Sequence, residues 1–226
     1  MNFSAVIVAA GRGTRFGRPK QLVGINGKPM LWWPVQTFAQ MHEVDRIVVV
    51  TEPEWLEEVR VIAADAGGSK VEHVVPGGAT RQTSTYEGLR VLRGGGGGVF
   101  VHDGARPLVS AGDVRRGMQP VCEGNGSLLA VPVVDTIKVV TGARVVSQTL
   151  DRSTLWAAQT PQFATLADML RAHEAGMRDG VDATDDAMLL ERIGVTVHVV
   201  PGSPENFKVT LPEDRARAEH AMALRA

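Results

Sequence analysis

Short apolar runs alternate with helical segments along this chain, and that alternation limits the possible folds more than any other feature. The run Ile47-Val48-Val49-Val50 is apolar at every position, as is typical of a strand covered on both faces. Similar runs recur between segments that are long enough to form helices. The predicted strands are residues 4–9, 46–51, 71–75, 99–103, 127–133 and 195–200. The predicted helices are residues 30–41, 53–66, 80–93, 112–123, 165–175 and 185–193, with a last helix from about residue 211.

This order of elements predicts an α/β fold, in which a mostly parallel sheet lies between two layers of helices. We expect one Rossmann-like, three-layer domain over residues 1–226, since a chain of 226 residues can build one large core with an appendage. Ligands of such sheets bind beyond the carboxyl ends of the strands. The loops that follow the strands should therefore share one rim.

Residues 134–158 interrupt the alternation of strands and helices. Two loosely alternating stretches, residues 136–140 and 144–149, flank Thr141-Gly142-Ala143, a pattern that predicts a protruding β-hairpin with a glycine turn. Such a hairpin has to bury its side chains against something, and either a partner subunit or its own domain would serve. We expect a symmetric homodimer in which residues 134–158 form the dimerisation arm, and the second possibility stays open here.

The loop after the first predicted strand is the clearest functional signal. It holds three glycines and four cations between Gly11 and Lys20, although the formal net charge of the chain is only −1. Glycine lets the backbone approach a ligand closely, and consecutive loop N–H groups form an anion-binding concavity. A strand, a glycine loop and fixed cations together indicate a polyphosphate site.

Three kinds of glycine loop could bind a polyphosphate here. A P-loop requires Gly-Lys followed by Ser or Thr, whereas Gly27-Lys28 is followed by Pro29, so that interpretation fails. A dinucleotide fingerprint has glycine where this loop has Phe16, and it does not need cations such as Arg15. An NAD-binding oxidoreductase nevertheless stays open as an alternative. The third kind is the loop of a nucleotidyltransferase, which binds a nucleoside triphosphate.

A set of motifs follows this loop in a fixed order along nearly the whole chain. The motifs are Ala10-Gly11-x-Gly13-x-Arg15-x-Gly17 with Pro19-Lys20-Gln21, Gly78 with Arg81-Gln82-Thr83-Ser84, His102-Asp103-Gly104-Ala105-Arg106-Pro107, Pro132-Val133-Val134-Asp135-Thr136-Ile137-Lys138, Asp151-Arg152, Gln159-Thr160-Pro161-Gln162, Thr184-Asp185-Asp186 and Asn206-Phe207-Lys208-Val209-Thr210. This ordered set resembles the 2-C-methyl-D-erythritol 4-phosphate cytidylyltransferases of the non-mevalonate isoprenoid pathway. The first motif alone is also found in many sugar-nucleotide pyrophosphorylases, so the specificity lies in the whole set.

The resemblance implies a nucleotidyltransferase type of fold and one reaction. CTP and 2-C-methyl-D-erythritol 4-phosphate would give the CDP-alcohol and pyrophosphate, with Mg²⁺ as the cofactor. It also implies a homodimer whose arms reach the neighbouring active site, and small-molecule ligands rather than nucleic acid or a membrane. A cytidylyltransferase for another polyol phosphate, such as ribitol 5-phosphate, remains an alternative, as does a nucleotide-binding regulator without turnover.

The resemblance also implies roles for individual residues. The expected catalytic residues, which contact the triphosphate or hold the acceptor's phosphate, are Arg15, Lys20, Arg152 and Lys208. The expected nucleotide-binding residues are Ala9, Ala10, Gly11, Gly13, Gly78, Arg81, Ser84 and Asp103. The expected acceptor-binding residues are Asp103, Arg106, Thr136, Arg152, Thr160, Thr184 and Lys208. Protein ligands of the metal stay unassigned, because Mg²⁺ is expected to bind mainly triphosphate oxygens and water.

Other polar residues receive structural roles. We expect Asp182, Asp185 and Asp186 to cap the following helix rather than to bind a metal, and His102 to bond local backbone rather than to act in catalysis. The histidines lack the close spacing of a zinc site. Cys122 is the only cysteine, and the first apolar run is too short to span a bilayer and lacks a charged leader. We therefore expect a cytoplasmic protein.

Overall fold

The computed structural model describes residues 1–11 and 19–224, so Gly13 and Arg15 lie outside the described residues. The helices are α1 (Trp32–Ala39), α2 (Leu56–Gly67), α3 (Arg81–Arg90), α4 (Ala111–Cys122), α5 (Leu166–Arg178), α6 (Asp186–Arg192) and α7 (Pro212–Ala223). The strands are β1 (Phe3–Val8), β2 (Gly24–Ile25), β3 (Lys28–Pro29), β4 (Val44–Thr51), β5 (Val71–Pro76), β6 (Gly98–Asp103), β7 (Gly126–Pro132), β8 (Lys138–Val140), β9 (Val146–Thr149), β10 (Trp156–Thr165) and β11 (Val197–Pro201). All the predicted elements are present, with ends that differ by three residues or fewer.

Seven strands form the central sheet in the order β11-β7-β10-β6-β1-β4-β5. Strand β1 runs parallel to β4 and β6, β4 runs parallel to β5, and β7 runs parallel to β11. Only β10 is antiparallel to its neighbours in this sheet, as the described residues define it. The predicted α/β class with a mostly parallel sheet is therefore confirmed. Within the described residues, no helix combines the length and the apolar character needed to cross a membrane.

The side chains of β1 show why the fold has three layers. Ala5 and Ile7 belong to an apolar cluster with α1, α2 and α4 on one face of the sheet. Val6 and Val8 belong to a second cluster with α3, α5 and α6 on the other face. Every residue of β1 is buried, because helices cover both faces.

The long strand β10 is absent from the predicted elements. Pro161 lies in its interior, and proline is normally excluded from the middle of a sheet because it cannot donate to the ladder. The structure accommodates it at an irregularity, where Ala158 pairs with Ala130 and Gln162 pairs with Leu128. Residues 159–161 of β10 thus lie opposite a single residue of β7. This bulge lies at the rim of the sheet, next to the site described below.

A short hairpin, β2 and β3, is a second element that was not predicted. Its two-residue turn consists of Asn26 and Gly27, both with positive φ (47° and 78°), and Asn-Gly is favoured in such turns for that reason. Ile25 of this hairpin packs in an apolar cluster with Val209 from the carboxyl-terminal part of the chain. The hairpin therefore helps to hold the residues around Lys208 close to Lys20, which ends the loop after β1.

The arm, residues 134–158, forms the predicted hairpin. Strands β8 and β9 pair antiparallel in a sheet of their own. The Arg144 N–H donates to the Thr141 carbonyl oxygen at 2.9 Å, so Gly142 and Ala143 form the turn as predicted. Val134, Val145 and Val146 are 79%, 62% and 55% exposed, so the hairpin does not fold back on its own domain. Its role in dimerisation stays a prediction.

Gly117 offers a test of the packing between α4 and β10. A Cβ atom at this position would overlap the ring of Phe163, so we expect Gly117→Ala to lower the free energy of unfolding by about 1–3 kcal/mol. Gly112→Ala in the first turn of α4 is the matched control, because the nearest atom, Ser110 Oγ, would lie 3.8 Å from its Cβ. The control should be neutral or stabilise the protein by up to about 1 kcal/mol. Urea denaturation compares the two, and equal effects would contradict the packing.

Candidate active site

Two adjacent cavities open at the carboxyl ends of the central strands. The first has a volume of about 340 Å³ and lies between the loop after β1, the end of β4 and the start of α3. The second has a volume of about 270 Å³ and lies between the end of β6, the bulge of β10 and the start of α6. Arg81, Asp103 and Lys208 line both cavities and form the wall between them.

The start of α3 is fixed by reciprocal side-chain caps. The Thr80 N–H donates to Thr83 Oγ1 (2.9 Å), and the Thr83 N–H donates to Thr80 Oγ1 (3.1 Å). Ser84 Oγ accepts a hydrogen bond from the Gly78 N–H at 3.1 Å, which holds the preceding loop against the helix. These bonds place Arg81, the first residue of α3, at the border of the two cavities.

Asp103 is the last residue of β6, and its buried carboxylate is held by cations. Its Oδ2 accepts a hydrogen bond from Lys208 Nζ at 2.9 Å, and its Oδ1 accepts one from Arg81 Nε at 3.2 Å. Arg106 Nε lies 3.8 Å from Asp103 Oδ2. Burial alone would raise the pKa of Asp103, but the charges of Arg81 and Lys208 outweigh it and hold this pKa well below its usual range. The carboxylate is therefore ionised at neutral pH.

Arg81 lies between two carboxylates. Besides Asp103, its guanidinium binds Asp186, with Nη2 at 2.8 Å from Oδ2. Burial by itself lowers the pKa of Arg81, but Asp186 and Asp103 outweigh that effect and raise it further. Burial would likewise raise the pKa of Asp186, but Arg81 and His173 hold it below its usual range. Arg81, Asp103 and Asp186 therefore all keep their charges inside the protein at neutral pH.

His102 connects the end of β6 to the bulge of β10. Its Nε2 lies 3.1 Å from the carbonyl oxygen of Arg106, which can only accept, so Nε2 carries the proton. Its Nδ1 then accepts a hydrogen bond from the Thr160 hydroxyl at 3.2 Å, and Thr160 Oγ1 in turn accepts from the Asp103 N–H at 3.0 Å. Burial lowers the pKa of His102 to about 4, so the ring is neutral at pH 7. His102 thus bonds local backbone, as predicted.

The carboxyl-terminal motif is bonded to the same rim. Arg106 Nη1 donates to the Asn206 carbonyl oxygen at 2.8 Å, and Asn206 Nδ2 donates to the Thr160 carbonyl oxygen, also at 2.8 Å. Lys20 Nζ donates to the Val209 carbonyl oxygen at 2.9 Å. Residues from both ends of the chain are therefore held at one site, next to Lys208.

Comparison with known proteins agrees with this arrangement. Residues 3–224 match the sequence profile of the family described as 2-C-methyl-D-erythritol 4-phosphate cytidylyltransferase. The chain belongs to this family. A relative of that name from Rubrobacter xylanophilus is 43% identical over 224 residues, which cover 98% of this chain and 95% of the relative. One from Microcystis aeruginosa is 39% identical over 222 residues, which cover 97% and 98%.

Solved structures of similarly named proteins have the same fold. The 4-diphosphocytidyl-2C-methyl-D-erythritol synthase of Anaerococcus prevotii matches with a TM-score of 0.87 and 27% identity, over 98% of this chain and 96% of that one. The 2-C-methyl-D-erythritol 4-phosphate cytidylyltransferase of Thermus thermophilus matches with a TM-score of 0.79 and 30% identity, over 99% of this chain and 100% of that one. The cytidylyltransferase family is thus supported by sequence and structure together, which argues against an NAD-binding oxidoreductase.

Most of the residues implied by the family resemblance line the two cavities. They are Ala10, Gly11, Lys20, Gly78, Arg81, Ser84, Asp103, Arg106, Thr160, Thr184 and Lys208. Ala9 is buried beneath the lining, where its N–H donates to the Val50 carbonyl oxygen. Thr136 and Arg152 lie on the exposed arm, and neither lines these two cavities. The predicted capping role is confirmed for Asp185, whose Oδ1 accepts from the Met188 N–H at 3.0 Å, but not for Asp186, whose carboxylate binds Arg81 and His173 instead.

Some residues of the site have no role among those that the family resemblance implies. Glu52 follows β4 and lines the first cavity, and the rule that selected Asp103, a carboxylate directly after a parallel strand, would also have selected it. Gln162 lines the second cavity and accepts the Asp186 N–H with its Oε1 at 2.9 Å. Its position depends on the bulge of β10, for which the sequence contains no clear signal.

The buried neutral state of His102 predicts a pH dependence of stability. Between its ordinary pKa of 6.5 and its folded pKa of about 4, the unfolded chain binds a proton that the folded chain does not. The free energy of unfolding should therefore fall by up to about 3 kcal/mol as the pH drops through this window. Asp103 and Asp186, with lowered pKa values, add their losses only at more acidic pH.

The measurement is urea denaturation at several pH values between 7 and 4, on the natural protein and on His102→Gln. The variant lacks the titrating ring. Its free energy of unfolding should therefore fall less between pH 7 and 4 than that of the natural protein, by about the amount attributed to His102. Parallel pH profiles of the two proteins would show that His102 does not titrate in this way.

Proposed function

We propose that this protein transfers CMP from CTP to 2-C-methyl-D-erythritol 4-phosphate and releases pyrophosphate, as a step of isoprenoid precursor synthesis. The observation that carries the proposal is the pair of adjacent cavities with a charged wall of Arg81, Asp103 and Lys208. A transferase needs a donor and an acceptor side by side, and two anionic substrates need cations at their border. Membership of the cytidylyltransferase family supports the identity of both substrates.

The larger cavity suits CTP. It is lined by Ala10, Gly11 and Gly78 and by Lys20. Lys20 and Arg15, in the glycine loop, would bind the triphosphate, although Arg15 lies outside the part of the chain that the structure describes. The smaller cavity contains Arg106, Thr160 and Thr184 and suits a small polyol phosphate.

The reaction follows from this placement. A phosphate oxygen of the acceptor attacks the α-phosphorus of CTP, and the bond from that phosphorus to the oxygen bridging to the β-phosphate breaks. Pyrophosphate leaves with the bonding electron pair. An ionised phosphate needs no base to remove a proton, so the protein contributes alignment and electrostatic stabilisation. Lys208 and Arg81, at the wall, lie where the negative charges of the two substrates meet.

The polar groups present fit a role for Mg²⁺ bound with the nucleotide. Among residues 1–11 and 19–224, no group of three His, Cys, Asp or Glu side chains is arranged to hold a metal ion. The first cavity offers the carboxylates of Glu52 and Asp103, and Asp103 is already bonded to cations. Mg²⁺ commonly takes one or two carboxylates together with substrate phosphates and water. When bound, it would neutralise triphosphate charge and assist the departure of pyrophosphate.

Replacement of Lys208 tests the charged wall. We expect Lys208→Ala to lower kcat/KM for the acceptor about 10²–10³-fold, since it removes a preorganised donor at the reacting phosphates. Lys28→Ala is a matched control, because Lys28 is as exposed as Lys208 (43% against 41%) and binds Asp65 at 2.8 Å, but lines neither cavity. The control should retain its activity. Equal losses in the two variants would show that the effect is not local.

Pyrophosphate release tests the substrate assignment. The purified protein is assayed with CTP, Mg²⁺ and a panel of polyol phosphates, among them 2-C-methyl-D-erythritol 4-phosphate and ribitol 5-phosphate. We expect turnover with the first and none comparable with the second. Release with ribitol 5-phosphate alone would instead indicate a cytidylyltransferase for that acceptor.

We also propose that the protein acts as a homodimer with shared sites. Arg152 and Thr136, both implied to bind the acceptor, lie on the arm outside the two cavities of their own chain, and the arm exposes several valines. In a symmetric dimer each arm can bury these valines against the partner and bring Arg152 to the partner's acceptor cavity. The single cysteine, Cys122, and the net charge of −1 support a cytoplasmic protein that binds neither nucleic acid nor a membrane.

Subunit complementation tests the shared site. Arg152→Ala and Lys208→Ala should each be nearly inactive, but their co-expression gives mixed dimers in which one of the two sites has both residues intact. With random assortment about a quarter of all sites would be restored, so activity should recover to about a quarter of the natural level. Purification through two different tags isolates the mixed dimer. Failure of this isolated species to recover activity would mean that Arg152 does not serve the partner's site.

A further inference from the structure

A buried carboxylate and a buried imidazole lie behind the charged wall, and the reaction described above does not use them. Asp186 is the first residue of α6, and His173 lies in α5. Their side chains are 1% and 0% exposed, and His173 Nε2 lies 3.1 Å from Asp186 Oδ1. The other oxygen of the carboxylate, Oδ2, binds Arg81 Nη2 at 2.8 Å.

The hydrogen bonds of this pair have a defined direction. A carboxylate only accepts, so His173 Nε2 donates to Asp186, and Arg81 donates to the other oxygen. His173 Nδ1 has no hydrogen-bond partner among the residues that the structure describes. The Asp186 N–H donates to Gln162 Oε1 at 2.9 Å, so the backbone of Asp186 is fixed as well.

We propose that Asp186 and His173 are positioning residues for Arg81 in the transfer reaction. Asp186 holds one side of the guanidinium, and His173 holds Asp186. This assignment rests on the proposed function, since it takes Arg81 to act at the border of the two substrates.

The geometry explains why Arg81 needs a second carboxylate. Its Nε binds Asp103 Oδ1 at 3.2 Å while Lys208 binds Asp103 Oδ2 at 2.9 Å, so the two cations share one carboxylate. Without Asp186 the guanidinium would be free to turn toward Asp103 and compete with Lys208. With Asp186 in place, Arg81 is held on its own side of the wall and Lys208 keeps its position.

Simple stabilisation does not account for the pair. A buried carboxylate loses its hydration, and apolar side chains of similar volume are often at least as stable in the same place. Asp186 instead binds a residue that lines both cavities, and Thr184, two residues earlier, lines the second cavity. The negative charge of Asp186 is therefore located where the orientation of cavity residues depends on it.

A double-mutant cycle tests the connection between Asp186 and Arg81. The steady-state kcat and both KM values are measured for Asp186→Asn, Arg81→Ala and the double variant, well below the melting temperature of each. We expect Asp186→Asn to lower kcat about 10²-fold, as misplacement of a catalytic group does, and the double variant to be no slower than Arg81→Ala alone. Losses that multiply in the double variant would overturn the proposal.

A matched pair of variants tests His173. His173→Gln keeps an N–H donor for Asp186, whereas His173→Leu removes it at a similar volume. We expect the Gln variant to retain most of kcat and the Leu variant to lose about tenfold, with melting temperatures recorded for both. Equal kcat in the two variants would overturn the role of His173, and this pair decides the proposal if Asp186→Asn does not fold. An inactive natural protein would instead contradict the proposed function, whereas an active one with multiplying losses contradicts only this inference.

Discussion

The ion pairs of Asp103 join three distant parts of the chain at the rim of the sheet. Its carboxylate lies at the end of the central strand β6 and binds Arg81 from α3 and Lys208 from near the carboxyl terminus. A buried carboxylate without partners costs several kcal/mol, and these cations offset that cost at the rim of the sheet. In the proposed reaction the same cations face the two substrates. Stability and substrate binding would then depend on one set of contacts.

Cations and carboxylates are paired at this rim. Arg81 binds both Asp103 and Asp186, Lys208 binds Asp103, and Arg106 lies 3.8 Å from Asp103. The carboxylates hold the cations apart and oriented. In the proposed reaction an entering phosphate would meet donors that are already aligned, so little reorganisation would be needed.

The sequence predicted those parts of the fold whose residues serve packing alone. The run Ile47-Val48-Val49-Val50 of β4 is apolar and buried because helices cover both faces of the sheet, and that pattern is visible in the sequence. Strand β10 was missed because residues 159–161 leave the regular ladder, and Gln159 and Thr160 among them line the site. The Asn26-Gly27 turn is a recognised hairpin signal and could have been used.

The site, like the fold, was predictable from the sequence in part. Asp103 follows from its position at a strand end, and the resemblance to a family named most of the other lining residues. No sequence pattern indicates that Arg81 binds Asp186, because 105 residues separate them and only the folded chain brings them together. The sequence likewise gives no sign of the role of His173, since a histidine among the buried residues of α5 does not reveal which carboxylate it binds.

The attachment of the arm has a consequence for how such proteins diverge. Pro132 of β7 pairs with Trp156 of β10, so the chain leaves and re-enters the sheet at two neighbouring points. The arm is in effect a long connection between adjacent antiparallel strands, and the entropy of closing such a connection rises only slowly with its length. Insertions, deletions and substitutions between these two points leave the register of the sheet intact. The length of the arm can therefore change over evolution without disturbing the strands that carry the rim.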